Sequence, residues 1–482
     1  MQSKITRIIA VFLIFAVLLG IMQFTVPYII GFDGYYNIKV AEIIKEEGFV
    51  KEGIAPENTI LADNYADIQV LFRILLIPFT FLGLELGAKI AAILFGAIAF
   101  TVFFWFLTEN RIRHALFWSV LYLFTSEALM YRLMLPRQMP LVISLLLLTI
   151  HFLQKRKYVF LFFTMLAHVL LHSSFVFQFI IIIFYLILEK IISKEFNYKI
   201  ILYPIIGAVA GLILNPHFPN SVIMSYMQIF KVNLVGNLYN VEWKAWTFSE
   251  FIKNNILVLA YFIVIVIAIF KTRKINKNKL FFLLLALFFF IYTILSRRMQ
   301  EYLVPFSIIA LALILDDYIP IFDRSRLFSK FKYAAIIFLI IVVGINFSLL
   351  REDIRNNTFL HNFNKCAGWM KDNIPENSLV FVNAYAFPYL FFENSDARYT
   401  HGIDLTYSYL YDDESFERYM GILQGTLKSD ADYIIKDYNP DYVFSGKVKQ
   451  DVQLFNYIVA HKENYKAVYE DEWCAVLKAK QI

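Results

Sequence analysis

The sequence predicts an α-helical polytopic membrane protein with about 11 transmembrane helices, followed by a C-terminal extracytoplasmic α/β domain. Three observations carry that prediction. Of the 482 residues, 59% are hydrophobic and only 17% charged, so the chain cannot cover itself with polar surface in water. Long apolar runs recur up to Leu350, and the cations between them gather in short clusters. Beyond Leu350 the charges are dispersed and the apolar runs give way to short alternating stretches. The formal charge of +6 lies largely in the inter-span clusters and does not mark a nucleic-acid binder.

At the N-terminus, Lys4 and Arg7 precede roughly 20 apolar residues. No small-residue cleavage site stands out before Asp33, so this stretch reads as an uncleaved first helix that starts in the cytoplasm. Further spans are expected near 88–108, 114–133, 138–153, 158–171, 174–189, 199–214, 256–270, 280–296, 302–316 and 332–350. Alternating them puts Arg111, Arg113, the clusters at 155–157, 271–279 and 324–332, and Lys190 to Lys199 inside, as the positive-inside rule asks. Residues 31–87, 134–137, 215–255 and 297–301 then lie outside, with everything after 351.

Segment 67–86 is apolar enough to insert, but as a span it would invert every later loop. It reads as an interfacial or re-entrant helix, with a kink at Pro78. The expected division is a transmembrane domain, 1–350, whose first outer loop is 31–87, and an extracytoplasmic domain, 351–482. In the latter, SLVFVNAY, PDYVFSG and EWCAVLKAK read as strands, and 405–425 and 449–463 as helices. Cys366 and Cys474 both fall there and could pair; without a spacing motif they read as two small buried hydrophobes.

The chemistry-bearing residues gather in the outer loops. Asp33, in GFDGYYNIKVAEIIKEEG, stands at the membrane rim, where a carboxylate can act as general base or hold a divalent cation beside a phosphate. The plainer reading is a helix cap. Asp63 and Asp67 follow in the same loop; ordinary loop carboxylates are the plainer reading, with acceptor or metal contact as the alternative. Arg297 and Arg298 in SRRMQEYLVPF run against the charge bias, which suits a bound phosphate, and lipid headgroups are the competing partner. Arg132 and Arg137 form a second cationic group. His168 and His172 share a helix face at i, i+4; packing is the plainer reading, with substrate contact by His172 as the alternative. In loop 215–255, Glu242 and Glu250 could orient an acceptor, while the tryptophans suit an interfacial belt.

These residues and this layout resemble the GT-C superfamily of integral-membrane glycosyltransferases. Within it, the chain is similar to the oligosaccharyltransferase catalytic subunit and to the protein mannosyltransferase and aminoarabinose-transferase group. DGYYNIKVA, 33–41, resembles the Asp-Pro-Tyr-Tyr-type segment that opens the first outer loop of oligosaccharyltransferases. RRMQEYLVPF, 297–306, resembles their arginine segment, in which Arg binds the lipid phosphate, and NVEW, 240–243, their Glu-bearing loop. The Trp-Trp-Asp-Tyr-Gly acceptor motif is absent, and the second outer loop, MLPRQMP, is basic where theirs is acidic. Both departures argue against transfer to an asparagine in a sequon.

The resemblance implies an inverting transferase at the outer face of the plasma membrane. Its donor would be a polyprenyl- or dolichyl-phosphate-linked sugar and its acceptor a glycan, lipid or protein. Asp33 would be the base or a ligand of Mg2+ or Mn2+, with Arg298, Arg297 and Arg137 at the donor phosphate. A transporter or lipid-linked-glycan flippase with an accessory outer domain is the rival class. Transporters often show internal repeats and charges at mid-membrane, and this sequence shows no evident repeat.

Overall fold

The computed structural model describes residues 2–480 apart from 51–52, 63–64, 233–241, 273–274, 319–325, 357–358 and 403. Asp63 therefore lies outside the described residues, as do Asn240 and Val241 of NVEW.

Among the described residues, six helices are long and apolar enough to cross a membrane: Lys4–Gln23, Leu84–Glu109, Phe175–Ser193, Phe248–Lys271, Lys277–Leu295 and Arg297–Leu315. A seventh span is complete if the pair Glu127–Met134 and Met139–Gln154, bent by 102°, crosses as one. The expected count of about 11 is not confirmed among the described residues, which also hold a 31-residue helix, Arg326–Asn356. Tyr158–Leu171 and Lys199–Leu214 are apolar but shorter, and the run 114–133 breaks into Ala115–Leu123 and Glu127–Met134. The protein is a multi-pass membrane protein. Along its first helix Val11, Phe15, Leu19 and Met22 are buried, while Leu13, Val17 and Ile21 stay exposed, as a lipid-facing surface requires.

Helix approaches are set by small residues and rings. Phe15 stacks on Phe100 with ring centroids 4.8 Å apart. A Cβ at Gly211 would lie 2.9 Å from that of Val169, so helices Tyr158–Leu171 and Lys199–Leu214 meet backbone to backbone. Segment 67–86 contains an 11-residue helix, Val70–Thr80, with Pro78 inside it. At ~1.5 Å per residue it is too short to span.

The C-terminal residues build a five-stranded mixed sheet in the order β2-β1-β3-β5-β4. The strands are β1 Leu379–Phe381, β2 Arg398–Tyr399, β3 Tyr442–Gly446, β4 Tyr465–Glu470 and β5 Cys474–Ala479. β1 runs parallel to β2 and β3, and β5 pairs antiparallel with β3 and β4. β3 is buried along its whole length, as a central strand should be. Phe381, Tyr419, Val443, Leu454 and Leu477 form a core between this sheet and its helices. The two cysteines are a disulfide, Cys366–Cys474, which corrects the expectation of two unpaired hydrophobes. The sheet brings them together across a separation of 108 residues, which no local spacing records.

Candidate active site

The segment that follows the first span begins with the helix Asp33–Glu47, and its sequence fixes how it docks. The N-cap is Phe32 and makes no side-chain cap, so Asp33 is the first helical residue and its carboxylate is not spent on capping. A Cβ at Gly34 would lie 2.8 Å from Pro136 Cγ, so only glycine lets the turn approach the bend that holds Pro136. One turn on, Asn37 Nδ2 donates to Pro136 O at 2.8 Å. Both contacts hold the bend between Met134 and Met139 against the helix, and Arg137, in that bend, forms an ion pair with Asp33.

Tyr35 and Tyr36 point the other way. Tyr35 packs edge-on to Tyr389 and Phe392 at 5.1 and 5.2 Å, and Tyr36 lies 5.7 and 5.4 Å from Phe387 and Phe391. The aromatic pair in DGYY thus seats the helix Phe387–Glu393 on the helix Asp33–Glu47.

Between these elements lies a cavity of about 440 Å³. Asp33, Asp67, Arg137, His172, Glu242 and Arg298 all line it. Arg297 and Glu250 are not among its lining residues. They pair with each other at 2.7 Å, and Arg297 lies over the Trp246 ring. Of the histidine pair, His168 is wholly buried, 2.9 Å from Gln178 Oε1, while His172 reaches the cavity with Nδ1 2.8 Å from Ser174 Oγ.

The charges are interlocked. Glu242 Oε1 accepts from Arg137 Nη1 and lies 3.0 Å from it and from Arg132 Nη1, and Arg132 Nε reaches Glu301 at 2.5 Å. Burial acts to raise the pKa of Glu242, but Arg132, Arg137 and Arg298 together hold it well below the usual carboxylate range. Asp67 pairs with Arg73 at 3.3 Å, and Arg73 also donates to Asn37. Arg298 differs. Its backbone N–H bonds Glu242 O at 3.0 Å and its guanidinium lies 5.1 Å above the Trp243 ring, but among the described residues no carboxylate pairs with it. Trp243 is therefore a buried platform for this arginine and not part of an interfacial belt.

Several lining residues escape the sequence reading. Arg73 sits inside an apolar run, and Asp404 and Tyr407 come from the C-terminal sheet region. Asp404 caps the helix Leu405–Tyr411 through Thr406 N at 3.1 Å; burial raises its pKa, against that bond and the charge of Arg298.

The donor set does not fit a divalent cation. Asp33, Asp67 and Glu242 each already face a guanidinium. Among the described residues the only three His, Cys, Asp or Glu donors within 4.8 Å of one another are Cys366, Asp471 and Cys474, whose sulfurs are in the disulfide. Among the described residues, which leave out Asp63, the expected Mg2+ or Mn2+ finds no cage at Asp33.

The helical bundle, the bent pair and the C-terminal mixed sheet together form the GT-C fold. Oligosaccharyltransferase AglB of Archaeoglobus fulgidus, solved with an inhibitory peptide and a dolichol-phosphate, superposes with a TM-score of 0.61 at 11% identity, over 92% of this chain and 70% of that one. ArnT of Cupriavidus metallidurans, bound to undecaprenyl phosphate, gives 0.57 at 11% identity, over 99% and 98%. The same A. fulgidus enzyme in complex with Zn and sulfate gives 0.57 at 11%, over 95% and 71%. By sequence, no protein-family model and no curated protein matches the chain.

Proposed function

We propose that this protein transfers a sugar from a polyprenyl-phosphate-linked donor to an acceptor at the outer membrane face, with inversion. One observation carries the reading: a carboxylate, Asp33, and a guanidinium that forms no ion pair among the described residues, Arg298, line the same cavity. The dolichol-phosphate and undecaprenyl phosphate bound to proteins of the same fold support the donor class.

In this reading the lipid tail lies against the bundle and Arg298 takes the donor phosphate by bidentate hydrogen bonds. Arg137 orients Asp33, which accepts the proton of the acceptor hydroxyl. The hydroxyl oxygen bonds the anomeric carbon as the bond from that carbon to the phosphate oxygen breaks. The leaving lipid phosphate keeps the electron pair, and the positioned guanidinium stabilises it. His172 and Glu242 would touch acceptor or donor only from the cavity wall. The acceptor is a glycan, lipid or protein hydroxyl. The division into a transmembrane domain, 1–350, and an extracytoplasmic domain, 351–482, belongs to the same reading, as does a cytoplasmic N-terminus in the plasma membrane. The disulfide supports it, because such bonds persist outside the reducing cytoplasm.

The test uses membranes holding the full chain and labelled polyprenyl-phosphate sugars. Asp33→Asn and Arg298→Ala should each lower transfer by about 100-fold or more without loss of folded protein. Full transfer by either folded variant removes that residue from the mechanism. A wild type that transfers no sugar but carries labelled lipid between leaflets would establish the rival transporter class.

A further inference from the structure

A second cavity, of about 270 Å³, lies far from the first. It is lined by Glu109, His151, Gln154, Lys155, Tyr185 and Lys277, with Asn110 and Asn278. Two helices tie the cavities together. Met139–Gln154 begins directly after Gln138 of the first cavity and ends at the second; Lys277–Leu295 begins at the second and ends just before Arg298. At ~1.5 Å per residue these helices are about 24 and 28 Å long, so the cavities open at opposite faces of the membrane.

Its polar groups are incompletely satisfied. Lys4 pairs with Glu109, Lys277 pairs with Glu189, and Arg156 reaches Glu189 at 3.0 Å and also Glu195. Among the described residues Lys155 has no carboxylate partner. His151, 7% exposed and packed 4.6 Å from the Trp105 ring, has a buried Nδ1 with no hydrogen-bond partner, and so does Gln154 Nε2. Buried nitrogens of this kind rarely stay orphaned in a native protein. An amide N–H, an imidazole nitrogen able to carry a proton and an ammonium line one polar space, with Lys277 also in its wall and Lys4 paired to its Glu109. Such a donor set matches an anion with several acceptor oxygens.

We propose that this cavity binds a phosphate-bearing anion, either the headgroup of an anionic lipid or a soluble phosphate, on the membrane face opposite the candidate active site. The proposal is independent of the sugar-transfer reading.

The test takes the purified full chain in detergent. Gln154→Leu with Lys155→Ala removes two donors; Lys155→Ala alone changes an exposed side chain that the fold tolerates. Lys190→Ala, an exposed cation outside the cavity, is the control. By native mass spectrometry, wild type and Lys190→Ala should retain phosphatidylglycerol, and the double variant should retain about tenfold less, with Lys155→Ala between them. Inorganic phosphate is then titrated while thermal unfolding is followed. A stabilisation in wild type that the double variant lacks assigns a soluble phosphate; selective lipid retention without it assigns a headgroup. The proposal is overturned if the cavity variants match wild type in both measurements. It is equally overturned if Lys190→Ala loses as much lipid as they do, since surface charge alone would then explain retention.

Discussion

Glu242 shows how much of this site rests on one buried charge balance. Its carboxylate is shared by Arg132 and Arg137, and its backbone carbonyl holds the turn that carries Arg298. Burial disfavours the ion, yet the three guanidiniums hold its pKa well below the ordinary value, so folding favours the charged form. The sign follows. A carboxylate with a depressed folded pKa binds fewer protons in the folded state, so its stabilisation is fully present above the unfolded value of about 4.3 and is lost as pH falls through the folded value. Wild type should therefore lose thermal stability between about pH 5 and pH 3, and Glu242→Gln should flatten that decline. At pH 7 the same variant should be less stable by about 1–3 kcal/mol, because it takes the shared counter-charge from two partly buried guanidiniums. Unfolding midpoints of both proteins across pH measure this, and parallel curves would remove Glu242 from the balance.

Among the elements, the helix Asp33–Glu47 divides its work between two faces. Asp33, Gly34 and Asn37 meet the second outer loop, while Tyr35 and Tyr36 meet the helix Phe387–Glu393. Tyr35 is 1% exposed, so Tyr35→Ala should cost about 3 kcal/mol or more. Chemical unfolding in detergent reads that cost, and an unchanged midpoint would show that the ring is not part of the core. The sequence makes the charged half of this arrangement legible. Arg298 stands out because an outer arginine opposes the charge bias, Asp33 through its motif, and Arg137 and Glu242 as charges in neighbouring loops; the structure gathers all four at one cavity. The aromatic half is not legible, because tyrosines suit a membrane rim as well as a docking surface. Arg73 is hidden by its apolar neighbours, and Asp404 and Tyr407 arrive only through tertiary contact. Span boundaries fail for a different reason: hydropathy has no term for a 102° bend at Leu135–Gln138 or for the break at Asn255 within Phe248–Thr272.

At the scale of the whole molecule, both covalent and electrostatic features bear on orientation. The disulfide joins residues 108 apart, from the helix Asn364–Asn373 to β5, and so braces the sheet against the chain that enters from the bundle. Closing a loop of that length stabilises by about 4.7 kcal/mol on the chain-entropy account, with typical losses of about 2–5 on removal. Cys366→Ser with Cys474→Ser should therefore unfold at lower denaturant, and reductant should shift wild type but not the double variant. At the other pole, Lys4, Arg156 and Lys277 are tied to Glu109 and Glu189 around the second cavity. Basic clusters stay on the cytoplasmic side, and disulfides form on the other, so both features call for the same orientation. With the two native cysteines bonded to each other, a single new thiol reports its side directly. Glu46→Cys, exposed at the end of the first outer helix, should react with an impermeant maleimide added to intact cells; Lys190→Cys should react only after the membrane is opened. Labelling of both from one side would break the topology, and with it the placement of Asp33 and Arg298 at the outer face.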